Sequence, residues 1–115
     1  MKLFWIVSAV TIAAVDRLAV AVRPPVAVAV QGFGFKPKLL EVEVGTRVVW
    51  TNADEIDHTV TAVADSGVKP RFDGDLPGQG KTFSFTFESP GTFVYQCARH
   101  TFMRGEIRVT PKGEH

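Results

Sequence analysis

The sequence contains one cysteine, Cys97, in 115 residues. No intramolecular disulfide can form, so the disulfide framework common in small secreted domains is excluded. An iron–sulfur cluster is excluded too, because it draws on several cysteines. Neither sign of charge is in real excess: 13 Lys and Arg stand against 12 Asp and Glu, a formal net charge of +1. That balance gives no footprint for nucleic acid as a partner. No apolar run reaches the ~20 residues needed to span a bilayer as a helix. Beyond the Ala/Val runs near the start there is no internal repeat or low-complexity tract. Methionine and histidine are also scarce, with two and three copies.

What is present favours strands. Nine Phe, ten Gly and seven Pro, with many Val and Thr, describe pleated segments joined by turns. The length suits one domain.

The first segment reads as an address. Lys2 precedes an apolar run of 13 residues, Leu3 to Val15, and small residues follow in Leu18-Ala19-Val20-Ala21. This is the plan of a secretory signal peptide, and Ala19 and Ala21 have the small-x-small spacing that a signal peptidase needs. Residues 1–21 are therefore expected to be the signal, with 22–115 the mature domain. An uncleaved anchor is the alternative, although it would carry Asp16 and Arg17 into the hydrocarbon. Removing Lys2, Arg17 and Asp16 leaves 11 basic and 11 acidic residues. Arg23-Pro24-Pro25 then reads as a short stiff lead into the fold.

From there the period-2 pattern repeats. Val26 to Val30 is β-branched and ends at Gly32-Phe33-Gly34-Phe35, where glycine predicts a bend or bulge. Leu40 to Val44 alternates aliphatic and carboxylate. Val48 and Trp50 share a face, and Asn52-Ala53-Asp54-Glu55 reads as polar turn. His58 shares a face with Val60 and Ala62. Residues 64–81 hold four Gly, two Pro and three Asp, and read as a long connection. Thr82 to Phe87 sets three phenylalanines against three hydroxyls. Thr92 to Cys97 puts Phe93, Tyr95 and Cys97 on one parity, and Glu106 to Thr110 alternates again. About seven short strands and no helical stretch predict an all-β sandwich.

The chemistry gathers in one loop. Cys97, His100 and Met103 fall within seven residues, in the pattern C-x2-H-x2-M. Each alone is weak, since a lone Met or Cys is usually packing. Together they form a soft donor set at a strand end, and His58, inward at the start of its own strand, is the obvious fourth member. Two imidazoles, a thiolate and a weak thioether match the trigonal His₂Cys arrangement with a long axial Met that suits copper. Structural zinc sites more often pair cysteines. A lone thiol in an oxidising compartment also needs something to occupy it. His115 reads as an ordinary terminal residue.

These residues resemble the cupredoxins, specifically the plastocyanin–amicyanin group of small blue copper proteins. The likeness covers nearly the whole mature chain. It runs through Phe35-x-Pro37-x-x-Leu40-x-Val42-x-x-Gly45-x-x-Val48-x-Trp50-x-Asn52, Asp57-His58-Thr59-Val60, and Pro90-Gly91-Thr92-Phe93-x-Tyr95-x-Cys97-x-x-His100. The two-residue spacing from His100 to Met103 is similar to the amicyanin branch. The resemblance implies a Greek-key sandwich of about seven or eight strands. It also implies one copper held by His58, Cys97, His100 and Met103 and cycling between Cu(II) and Cu(I), and periplasmic electron transport as a monomer. Donor and acceptor would be other redox proteins, and no enzyme activity is implied.

The chain departs from the group around the cysteine. Where the group commonly has Asn after the first His and Ser or Thr after the Cys, this chain has Thr59 and Ala98, so a side-chain pairing is expected to be lost. The Thr59 N–H remains free to reach the Cys97 sulfur. Arg99 replaces a frequent Pro and so keeps a backbone N–H that can also point at the thiolate. His100 and Phe102 are the expected electron port, rimmed by Arg99 and Arg104, which fits a partner acidic near its own redox centre. The main rival is a copper carrier that hands on the metal rather than electrons. An enzyme with Cys97 as nucleophile lacks an accompanying acid or oxyanion motif.

Overall fold

The computed structural model describes residues 23–64 and 71–113. The expected leader over residues 1–21 lies outside the described residues, as do Asp65 to Pro70 of the expected long connection. Nine strands follow in order: β1 (Val26–Val30), β2 (Phe35–Lys36), β3 (Leu39–Glu43), β4 (Thr46–Asn52), β5 (His58–Ala62), β6 (Asp73–Leu76), β7 (Thr82–Phe87), β8 (Gly91–Gln96) and β9 (Arg104–Thr110). One sheet has the order β2-β1-β4-β7 and the other β3-β9-β8-β5-β6. The first strand runs parallel to β4 and the third parallel to β9, while the other pairs are antiparallel. The expected all-β sandwich is the fold.

Alternation explains why the layers close. In β4 the inward positions Thr46, Val48, Trp50 and Asn52 are buried, while Arg47 and Thr51 are exposed. Opposite them β7 sets Phe85 against Val48 and Phe83 against Trp50. From the other sheet Tyr95 meets Trp50 edge-on at 5.4 Å and Phe35 at 4.6 Å. Such edge-to-face pairs add to the area they bury. The indole Nε1 of Trp50 and the Tyr95 hydroxyl are both buried without a hydrogen-bond partner of good geometry. Burial pushes the Tyr95 phenol up to about 12, with the Trp50 indole N–H offsetting part of that effect.

Two of the nine strands differ from the pattern read in the sequence. The short β2 follows the bend at Gly32 and pairs back on β1. The other is β6, inside the segment expected to be a connection. Asp-Gly-Asp-Leu has poor strand propensity, yet its alternation is clean, with Gly74 and Leu76 buried and both aspartates outward. Gly74 is required there, because a Cβ would overlap the Phe83 ring of the opposite sheet.

Both site-bearing strands present their ends at one pole. In the β5–β8 pair Thr61 lies opposite Gln96, so the start of β5 and the end of β8 lie at the same end of the sheet. Asn52, fully buried at the end of β4, pins the chain that leads there. Its amide nitrogen reaches the carbonyls of Ile56 (2.8 Å), Leu76 (3.2 Å) and Gly78 (3.2 Å), and its oxygen accepts from the Asp54 N–H at 2.9 Å.

Candidate metal centre

His58 opens β5 and is buried. Cys97, expected as the last residue of its strand, stands one place past the end of β8 and is fully buried. From there the loop folds back on itself. The Met103 N–H donates to the His100 carbonyl at 2.8 Å, and the Cys97 N–H donates to the Met103 carbonyl at 3.1 Å. These two bonds carry His100 over the pole and bury Met103 in the core beside Cys97.

The donor atoms converge. Cys97 Sγ lies 3.8 Å from His58 Nδ1 and 3.7 Å from His100 Nδ1. One donor atom from each of the three residues falls within 4.8 Å of the others. A metal bonded at about 2.3 Å to thiolate and about 2.0 Å to imidazole, at a trigonal angle, would hold sulfur and nitrogen about 3.7 Å apart. The observed spacing fits a metal ion at the centre.

The thiol is prepared for that role. Burial pushes the Cys97 thiol up, but hydrogen bonds from the Thr59 N–H, His58, the Arg99 N–H and His100 outweigh it and bring it from 9.0 to about 6. The Thr59 N–H lies 3.4 Å from the sulfur. Of the two backbone N–H groups read from the sequence, that of Thr59 donates to the sulfur, and that of Arg99 also helps hold the thiol down. In the metal-free protein, between about pH 6 and 9, the unfolded chain holds a proton that the folded chain has released, so stability rises with pH in that window. Above it both thiols are ionised and the gain levels off. Denaturant unfolding of metal-free protein across pH 5 to 10, with thiolate absorbance as the second reading, checks this. A flat profile that Cys97→Ser does not alter would contradict it.

The bracing beside the cysteine is altered rather than absent. No side chain at Ala98 can pair across the site, as expected, but its N–H donates to Thr59 Oγ1 at 2.8 Å. A side-chain-to-backbone bond thus stands where the related group commonly has a side-chain pair.

Two further residues shape the site, and neither stood out in the sequence. Asp54, read there as polar turn, accepts from His58 Nε2 at 2.9 Å. It also accepts from the N–H groups of Gly32 (2.8 Å) and Phe33 (3.2 Å). A carboxylate only accepts, so Nε2 carries a proton toward Asp54, and Nδ1 is the ring nitrogen that would bind a metal. Partial burial pushes the Asp54 carboxyl up, but the Gly32 N–H, His58 and the Phe33 N–H together hold it below its ordinary value. Phe33 is the second residue. It sits at φ 57°, a left-handed conformation unusual for a bulky side chain. Its ring meets His58 edge-on at 5.4 Å and His100 at 5.0 Å, and stacks on Phe102 at 6.2 Å. The glycines on either side of Phe33 were the available signal.

The expected port residues lie at this pole with half-buried His100. Phe102 is 71% exposed and Phe33 42%. Arg99 is exposed, and exposed Arg104 donates to Gln96 Oε1 at 3.1 Å on the β8–β9 face.

A β-sandwich with a buried His–Cys–His cluster at one pole defines a mononuclear metal protein of the cupredoxin type. Residues 24–110 match the family model of copper binding proteins, plastocyanin/azurin family. The chain belongs to that family, and copper is its cofactor. It is 32% identical over 75 residues to amicyanin-alpha of Methylorubrum extorquens, covering 65% of this chain and 63% of that protein. To amicyanin of Paracoccus denitrificans it is 36% identical over 70 residues, covering 61% and 53%. The chain thus spans less than two thirds of either relative. A solved structure of a reduced amicyanin variant superposes with TM-score 0.68 at 29% identity, covering 79% of this chain and 87% of that one. A copper-containing nitrite reductase from Thermus scotoductus gives 0.67 at 36%, covering 77% of this chain but 23% of that one.

Proposed function

We propose that His58, Cys97, His100 and Met103 hold one copper ion, and that the protein carries single electrons between redox partners in the periplasm as a type 1 copper protein. The observation that carries this reading is the convergence of Cys97 Sγ on two imidazole Nδ1 atoms at 3.7 and 3.8 Å in a buried pole. Bound copper supplies the one-electron couple. The chain's own residues supply the rest. Asp54 fixes the tautomer and ring plane of His58, while the Thr59 and Arg99 N–H groups hold charge on the sulfur. Phe33 and the core exclude water. His100, half-buried beside exposed Phe102, supports electron exit at this pole. The export-like leader supports the periplasm, and the two arginines support a partner with an acidic docking face.

The experiment is one equivalent of Cu(II) added to purified protein. An intense thiolate-to-copper band toward the red end, lost in Cys97→Ser, with reversible one-electron voltammetry, is the expected result. A colourless adduct would overturn the reading. Copper that leaves readily to an acceptor, without reversible redox behaviour, would favour the rival carrier function.

Arg99→Pro gives a finer check. Removing one N–H from the thiolate strengthens its donation and lowers the reduction potential, by roughly 40 mV if the bond is worth about 1 kcal/mol. An unchanged potential would show that this N–H does not tune the sulfur.

A further inference from the structure

Ala98 follows Cys97 directly and offers no polar side chain, so its N–H is the handle by which the chain leaving the cysteine can be held. That N–H donates to Thr59 Oγ1 at 2.8 Å. Thr59 Oγ1 lies 2.9 Å from Thr61 Oγ1, and Thr61 Oγ1 donates to Asp73 Oδ1 at 2.9 Å. The two ends fix the direction of this chain. A backbone N–H only donates and a carboxylate only accepts. Thr61 spends its one hydroxyl hydrogen on Asp73, so between the threonines Thr59 donates and Thr61 accepts. Each hydroxyl therefore accepts on one side and donates on the other.

The strands set these groups in register. Thr59 and Thr61 are two apart on β5 and so share a face. Asp73 lies directly opposite Thr61 in the β5–β6 pairing. Outward Asp73 thus stands at the far end of a line of bonds that begins on the residue after Cys97.

We propose that Asp73 is a positioning residue for the metal centre, acting through Thr61 and Thr59 to fix the Ala98 N–H and the path of the chain leaving Cys97. The proposal rests on the reading of Cys97 as a copper ligand. A carboxylate acceptor makes the terminal bond the strongest of the three and polarises the hydroxyls behind it. Without it, Thr61 turns its hydrogen back toward Thr59, the Thr59 hydrogen loses its acceptor, and the line loses its direction.

The test is amide hydrogen exchange at Ala98 in the metal-free full chain, with the Val109 amide in β9 as a monitor of global stability. Thr59→Val keeps the side-chain shape and removes the acceptor. It is expected to speed exchange at Ala98 by about two- to tenfold, the worth of one hydrogen bond. Asp73→Ala is expected to speed it about twofold, and Asp73→Asn, which keeps a neutral acceptor, by less. In the Thr59→Val background Asp73→Ala is expected to add nothing, since the line is already cut. An Ala98 rate unchanged by Asp73→Ala, or an effect that persists in full without the Thr59 hydroxyl, would overturn the proposal. In copper-loaded protein the reduction potential is expected to shift in the same order across the Asp73 variants. A wild-type spectrum lacking the thiolate-to-copper band would instead overturn the functional reading, and the exchange comparison would still decide whether Asp73 holds Ala98.

Discussion

Gly105→Ala is expected to remove about 3 kcal/mol of stability, at the upper end for an overpacked core. Gly105 lies opposite Tyr95 in the β8–β9 pair, so a Cβ added there points to the same side as the Tyr95 ring. That Cβ would overlap Cζ and the hydroxyl of Tyr95. The ring cannot retreat, because Phe35 holds one side at 4.6 Å and Trp50 another at 5.4 Å. Tyr95 stands two residues before Cys97, so its displacement reaches the donor cluster too. For a domain of this size the loss corresponds to a drop in Tm of more than about 10 °C. Thermal unfolding of metal-free protein checks it, and a shift of about 2 °C or less would show that the sheet yields instead of the ring. The other close-set glycine is Gly74, where an added Cβ would overlap the Phe83 ring that packs on Trp50.

Asp54→Ala is expected to weaken copper binding by about 10- to 100-fold, the usual cost of losing a group that orients a metal-bound histidine. The substitution acts twice. It leaves His58 Nε2 without its acceptor, and it frees the Gly32 and Phe33 N–H groups that hold the loop. A left-handed phenylalanine costs about 1–3 kcal/mol and persists only while its surroundings impose it. Phe33 is then expected to leave the two imidazoles and admit water. Competition against a chelator measures the affinity. Asp54→Asn, which retains an acceptor, should fall between wild type and Asp54→Ala. An affinity unchanged in Asp54→Ala would mean that packing alone orients His58.

Parity made most of this architecture legible from sequence. Trp50, Tyr95 and Cys97 face inward as alternation requires, and His58 and Cys97 meet at one pole because their strands are neighbours. What escaped detection depends on contacts that leave no local pattern. Asp54 reaches back 21 and 22 residues to backbone N–H groups, and a backbone donor has no signature in the side-chain sequence. The β6 strand was hidden by composition, since Asp and Gly usually mark turns. Its glycine instead makes room for a ring from the facing sheet. The Thr59–Ala98 bond was hidden for a similar reason, because only the side-chain half of the pair can be read from residue types.

That unpromising strand has a consequence for how copies of the protein meet. As the outermost member of its sheet, β6 shields the site-bearing β5 from pairing with another molecule. It is four residues long and turns Asp73 and Asp75 outward. Two copies approaching side by side at this margin would bring like charges together over a short run of hydrogen-bonding groups. This margin is therefore poorly suited to growth into fibres, so the short acidic strand keeps the edge beside the histidine-bearing β5 from becoming a template for other copies.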